Sequence, residues 1–381
     1  MTRFEKQARE VFEAAGIPLD GSSPYSLRVK NKDFYARFLR DGTLGLGESY
    51  MDGWWESNDV PEMMAKFARA KISQRFRRSP RFLMNRFLAK IANQGSKQNA
   101  RHGIRSHYDI GNDLFQAMLD PRLVYTCAYW NESSTLEQAQ EHKMELICRK
   151  LALAPGMRVL DIGCGWGSFL KYAAEKYGVQ GVGVSNSVEQ LSLARELCRG
   201  LPIEFRNQDY REITGRFDRV LSVGMFEHVC YKNHRAYMET VDRLLEPGGL
   251  TLLHTMGRTR SLTRGNDQWI TKYIFPNTQV PSVAQIGKAI DGIFILEDWE
   301  NLSTDYERTL LAWQENFARN WPQIEKAYGE RFFRMWNYYL WICAGWYRAR
   351  ALQLWQVVLA KEGDRAGYAW QKNRRVLGTK P

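Results

Sequence analysis

Apolar and polar positions follow two different rhythms along the chain. Up to about residue 95, apolar residues recur at helical spacing in short runs: Phe4, Ala8, Val11 and Phe12, then Phe34, Phe38 and Leu39. A short strand is expected between them at 27–30. The stretch from Gly45 to Trp55 is dense in glycine and aromatics and reads as a packed loop leading into a helix. From Met157 the rhythm changes. Apolar runs at 159–162, 181–184, 203–205, 219–223 and 250–254 predict strands, with helices expected at 168–176, 187–199 and 233–245. Strands alternating with helices in this way predict an α/β, doubly wound parallel sheet. The helix at 187–199 carries a start signal, Ser187 with Gln190 three residues on, and a stop signal, Gly200. Beyond about residue 306 the pattern reads as helical and rich in aromatics, among them Trp313, Phe317, Trp336, Tyr347 and Trp355.

Composition sharpens this picture at three points. A length of 381 residues suggests two or three domains. The start of the chain has no apolar segment of secretory type, and the uncharged run at 338–347 is too short to span a bilayer. Six cysteines without C-x-x-C spacing read as reduced thiols, which points to a cytoplasmic protein. Charge is the most informative. Twelve Lys and Arg lie between Lys66 and Arg105 with no Asp or Glu, and they account for the whole net charge of +12. Phe76, Phe82, Leu83, Met84, Phe87, Leu88 and Ile91 are interleaved among them, the pattern of a basic amphipathic helix resting on an anionic membrane. The plain alternative is a solvated charged face. A nucleic-acid partner is not expected: the interleaved residues are largely aliphatic as well as aromatic, and no RNA-binding signature is present. The polar stretch at 93–100 marks a linker, giving an N-terminal unit at 1–92, a linker at 93–104 and a second unit at 105–381.

The first predicted strand runs into Gly163-Cys164-Gly165-Trp166-Gly167 and then into a helix. A glycine turn there lets backbone N–H groups approach a ligand at the carboxyl edge of the sheet. Taken alone, the motif suits NAD, FAD, S-adenosylmethionine or a close-packed turn. NAD is disfavoured because the spacing is not G-x-G-x-x-G and the second strand ends in Ser185-Asn186-Ser187, with no acid for a ribose. Gln190 and Asp209 remain as polar contacts for an adenosine. Glu227 and His254 fall just past the fourth strand and at the end of the fifth, on the same sheet edge, where both can converge on a cofactor's reactive end.

The combination of 160–167 with Gly224-Met225-Phe226-Glu227-His228-Val229, 107–113, 125–130, 273–276, 45–55 and the tail from Cys343 to Val358 resembles the cyclopropane-fatty-acyl-phospholipid synthases, relatives of the mycolic acid cyclopropane synthases. The resemblance covers essentially the whole chain. It implies a seven-stranded S-adenosylmethionine-dependent methyltransferase fold with a smaller, mainly helical N-terminal domain, and an enzyme that turns cis double bonds of phospholipid acyl chains into cyclopropane rings. The implied partners are an anionic membrane and its unsaturated phospholipids, with a homodimer on the inner face of the cell membrane. The implied cofactors are S-adenosylmethionine and bicarbonate, without a metal. Cofactor contacts carried over are Tyr125, Thr126, the run Val159, Leu160, Asp161, Ile162, Gly163, Cys164, Gly165, Trp166 and Gly167, the run Ser185, Asn186, Ser187, Val188, Glu189 and Gln190, and Asp209 with Tyr210. Arg211 stands where the mycolic acid relatives have an acid. The bicarbonate cage maps onto Glu227, His254 and Tyr306 with the neighbourhood of Cys127 and Met256. Cys343 matches a cysteine assigned to the active site of related enzymes, although proton abstraction needs no nucleophilic thiol. Methylating an alkene makes a carbocation, which aromatic faces stabilise without trapping. Tyr129, Trp130, Phe226, Trp269, Tyr273 and Tyr306 are the candidates.

Overall fold

The computed structural model describes residues 2–71, 110–262, 267–276 and 278–361. The basic segment from residue 72 onward, the linker at 93–104 and the motif residues 107–109 lie outside the described residues. The chain opens with α1 (Arg3–Glu13), β1 (Arg28–Val29), α2 (Asp33–Asp41), α3 (Thr43–Met51), β2 (Trp55–Glu56) and α4 (Val60–Arg69). Thr2 caps α1, its hydroxyl accepting from the Glu5 amide at 3.1 Å. The apolar face predicted from Phe12, Phe34 and Phe38 closes on itself: Phe12 meets Phe38 and Phe67 at ring-centroid distances of 5.0 Å each. The glycine-rich stretch expected to begin as a loop is helical from Thr43. Its glycines serve close packing rather than a turn, since a Cβ on Gly47 would lie 2.4 Å from Cδ1 of Trp269.

The chain continues through α5 (Asn112–Met118), α6 (Leu136–Lys150), β3 (Arg158–Ile162), α7 (Ser168–Tyr177), β4 (Gln180–Ser185), α8 (Val188–Leu197), β5 (Ile203–Asn207), β6 (Phe217–Val223), α9 (His234–Leu244), β7 (Leu245–Gly257), α10 (Gln268–Tyr273), α11 (Val283–Ile290), β8 (Phe294–Asn301), α12 (Ser303–Tyr328), α13 (Glu330–Arg348) and β9 (Gln353–Lys361). Seven strands form one sheet in the order β5-β4-β3-β6-β7-β9-β8. The five strands expected from Met157 onward are parallel and match β3 to β7. The sheet as a whole is mixed, because β9 runs antiparallel to both β7 and β8. The tail is therefore not helical throughout. After the long helices α12 and α13 the chain returns and inserts β9 beside β7, where 354–360 is buried along its whole length. Nothing local marks such an insertion, because its partners lie far away in sequence.

Among the described residues, the N-terminal helices do not close a core of their own. Phe12, Trp55, Phe115, Trp313, Trp336 and Tyr338 belong to one continuous apolar cluster shared by α1–α4, α5, α12 and α13. Two further clusters cover the two faces of the sheet. The shared cluster is clamped at its edge by Glu48, whose carboxylate accepts from Arg37 at 2.6 Å, Lys272 at 2.6 Å and Tyr273 at 2.8 Å. The same contacts fix α10 against α3. Among the described residues no helix is long and apolar enough to cross a membrane.

Candidate active site

At the carboxyl end of β3 the backbone turns through Gly163, Gly165 and Gly167 with φ of 91°, 53° and 80°, values that L side chains rarely adopt. A Cβ on Gly163 would also approach Met225 to 2.8 Å. This turn is one wall of a pocket that Asp161, Ile162, Cys164, Gly165 and Trp166 line from the end of β3 and the turn after it, Ser185, Asn186 and Gln190 from the end of β4 through the start of α8, and Asp209 and Tyr210 from the segment after β5. Tyr125 and Thr126 close it from the segment before α6. Ser187 acts as the expected helix cap, accepting from the Gln190 amide at 3.2 Å, and so sets the angle at which Gln190 enters the pocket. The other residues carried over do not line the pocket. Val159 and Leu160 are fully buried in the clusters on the two faces of the sheet, Gly167 is the N-cap of α7, and Val188 and Glu189 are exposed on α8. A strand alternates faces, so only its last residues reach the edge. Arg211 grips Asp209 with Nε and Nη2, both at 2.7 Å, so the departure noted at Arg211 fixes an acid already on the wall.

Lys143, Met225 and His228 are among the wall residues that come in addition to those expected. Lys143 was legible in principle. It lies in the middle of the buried stripe of α6, between Ala139, Gln140, Met144 and Ile147, and a lysine in a buried stripe needs a reason to be there. Burial pushes it down to about 8, and burial likewise holds His228 at about 4, which keeps that imidazole neutral at pH 7.

Beyond the pocket, the turn after β6 carries Glu227 to the end of β7. Its carboxylate accepts from the Thr255 hydroxyl at 3.0 Å and the Met256 amide at 3.2 Å. Glu227 is buried, and burial pushes its carboxyl up to about 7 against those two donors. Burial also raises the Tyr306 phenol, and Cys127, Tyr125, Glu227 and Cys343 act on it in the same direction. These residues therefore share one neighbourhood. His254 is also buried, at the end of β7, but its ring contacts Gln356 through Nδ1 at 3.3 Å. No hydrogen bond joins it to Glu227 or Tyr306. Its Nε2 is buried without a partner, and burial beside Lys143 and Lys150 keeps the ring neutral. Cys127 donates to the Ala128 carbonyl at 3.2 Å, and burial drives its thiol and that of Cys343 upward, away from nucleophilic thiolate.

The aromatic candidates separate. Tyr306 packs against Tyr347 at 4.7 Å, and the buried Tyr347 hydroxyl has no partner. Phe226 instead stacks on His234 in the core, and Trp269 is sealed between α3 and Tyr338. Phe226 and Trp269 are therefore structural.

The family model for mycolic acid cyclopropane synthetase matches residues 95–357. The chain belongs to this family. Cyclopropane-fatty-acyl-phospholipid synthase of Escherichia coli K12 is 49% identical over 93% of this chain and 92% of that protein. Tuberculostearic acid methyltransferase UfaA1 of Mycobacterium tuberculosis is 33% identical over 89% and 84%. Among solved structures, the cyclopropane synthase MmaA2 of M. tuberculosis superposes with a TM-score of 0.65 at 29% identity, covering 68% of this chain and 98% of that one. The mycolic acid cyclopropane synthase CmaA1, complexed with SAH and CTAB, superposes with a TM-score of 0.64 over the same shares. The chain is thus an S-adenosylmethionine-dependent methyltransferase by fold and family. The cyclopropane synthase architecture accounts for the pocket, and the residues present fit that cofactor: the glycine turn leaves room for close backbone approach, and Oδ1 of Asp161 is buried with no partner of its own.

Proposed function

We propose that this cyclopropane synthase relative transfers a methylene from S-adenosylmethionine to the cis double bond of an unsaturated acyl chain in a membrane phospholipid. The observation that carries the reading is the buried Glu227 carboxyl, poised near neutrality beside Tyr306 and next to the glycine-turn pocket. S-Adenosylmethionine, when bound, supplies an electrophilic methyl group on a sulfonium. An alkene is a poor nucleophile, so the chain's own residues contribute orientation and dryness. The pocket residues hold the cofactor against the end of β6, and Tyr125 and Tyr306 flank the reacting carbon. Each ring face stabilises a cation there by about 0.5–2 kcal/mol.

One C–C bond forms as the C–S bond breaks. The methyl group then loses a proton as the second C–C bond closes the ring. Bicarbonate would be held by Glu227, His254 and Tyr306 near Cys127 and Met256, and would supply a weak base for that proton. His254 fits this role, since its unpartnered Nε2 calls for a small hydrogen-bonding group. The thiols of the buried Cys127 and the partly buried Cys343 act as walls. The N-terminal unit and the basic segment at 66–105 bring the enzyme to the inner face of the cell membrane as a peripheral protein, at about 1 kcal/mol per basic residue near an anionic surface.

A second reading is methylation of the alkene without ring closure, favoured by the likeness to UfaA1, whose name describes a methyltransferase. Incubation with labelled S-adenosylmethionine and monounsaturated vesicles, followed by mass analysis of the chains, tests the proposal. The expected product gains one CH2 and loses its double bond without added reductant. Label absent from the lipid would refute it.

A further inference from the structure

Lys143 is the buried charge in the pocket wall that the proposed chemistry leaves without a role. Only 2% exposed, it donates from Nζ to the Thr126 hydroxyl at 2.8 Å, its one hydrogen bond among the described residues. Two of its three ammonium protons are therefore uncommitted. Asp161, 3% exposed at the end of β3, lines the same pocket, and its Oδ1 is buried with no partner. Each of the two feels the other's charge, yet no ion pair joins them. Burying two opposite charges without pairing them is costly unless a third group satisfies both. Such a group carries an anion and a cation a few bonds apart and enters through the glycine turn, which describes an α-amino acid zwitterion.

Resting on the reading that this pocket takes S-adenosylmethionine, we infer that Lys143 is the anchor for the carboxylate of the cofactor's amino-acid tail, with Asp161 facing the ammonium. The placement also explains why the lysine sits in a buried stripe. From the middle of α6 its side chain reaches Thr126 and lines the same pocket as the turn after β3. Asp120, Cys127 and His254 are the other titratable groups within its electrostatic reach, and none of them forms an ion pair or hydrogen bond with it.

The test is calorimetric binding to the intact protein of S-adenosylhomocysteine, of its decarboxylated analogue S-adenosyl-3-thiopropylamine, and of 5′-methylthioadenosine, which lacks the amino-acid tail. In the unmodified protein, removing the carboxylate is expected to weaken binding by about 10- to 100-fold. In K143M and K143Q, S-adenosylhomocysteine weakens by that same factor, while the decarboxylated analogue and methylthioadenosine change by less than about two-fold. Equal weakening of all three ligands in K143M would overturn the inference, because it marks Lys143 as a support for Thr126. Unchanged binding of S-adenosylhomocysteine would overturn it too. Should both variants fail to fold, the unmodified protein still decides: a loss below about three-fold on removing the carboxylate rejects the anchor. Failure of the unmodified protein to bind any of the three would take down the cofactor reading along with it.

Discussion

Glu227 carries more of the site's physical chemistry than any other single side chain. Held by two donors yet pushed up to about 7 by burial, it retains a proton in the folded protein that an unfolded glutamate, near 4.5, has already released. The native state binds the extra proton between those two values, so this residue's contribution to stability falls as pH rises from about 4.5 to 7, by up to about 3 kcal/mol. Glu227→Gln removes the ionisation. Its melting temperature should match the parent's at pH 5 and exceed it at pH 8, which a thermal scan at both values checks. Turnover should collapse in the same variant by at least about 100-fold while S-adenosylhomocysteine binds near normally; a variant working at full speed would remove Glu227 from the mechanism. Glu227 was legible in the sequence because it follows a strand end on the edge that also carries the glycine turn. Lys143 carried a weaker signal, its place on the buried stripe of α6, which no motif reports. Val159 and Leu160 show the converse: a motif read as a block included residues that the sheet directs into the core, as well as Gly167, which caps the helix after the turn.

At the level of elements, the junction between α3 and α10 governs whether the helical layer sits correctly over the sheet. Glu48 is held at about 2 by Lys272, Arg37 and Tyr273 against the opposing effect of its burial. Its folded value is depressed, so its contribution is present above about 4.5 and is lost as pH falls toward 2. Glu48→Gln should cost about 1–2 kcal/mol at pH 7, with the difference from the parent shrinking in acid, as denaturant unfolding at two pH values would show. Gly47→Ala is a steric test of the same junction. Its Cβ would press on Trp269 at 2.4 Å, and overpacking of this kind costs about 1–3 kcal/mol. Parallel strands and their helices were readable from alternation because each βαβ unit is local. The helix α3 was not, because glycines that signal a turn in isolation allow a close helix contact here. Nor was β9, whose register with β7 and β8 depends on two long helices first folding back.

For the whole molecule, the question is how a lipid substrate and a polar cofactor meet. The excess charge concentrated at 66–105 should give binding to anionic vesicles that weakens steeply with salt. Reversing Arg75, Arg77, Arg78 and Arg81 to Glu should abolish flotation with anionic vesicles and leave S-adenosylhomocysteine affinity intact; salt-independent binding, or binding unchanged by the reversal, would contradict membrane docking through this segment. The chemistry that follows is tested most directly with S-adenosylmethionine bearing a CD3 methyl group and monounsaturated phospholipid vesicles, with the product chains read by mass spectrometry. Ring closure by deprotonation of the new methyl leaves two deuterium atoms on the added carbon and no double bond. A product that keeps all three would show methylation without a ring and contradict the proposed role of Glu227, His254 and Tyr306.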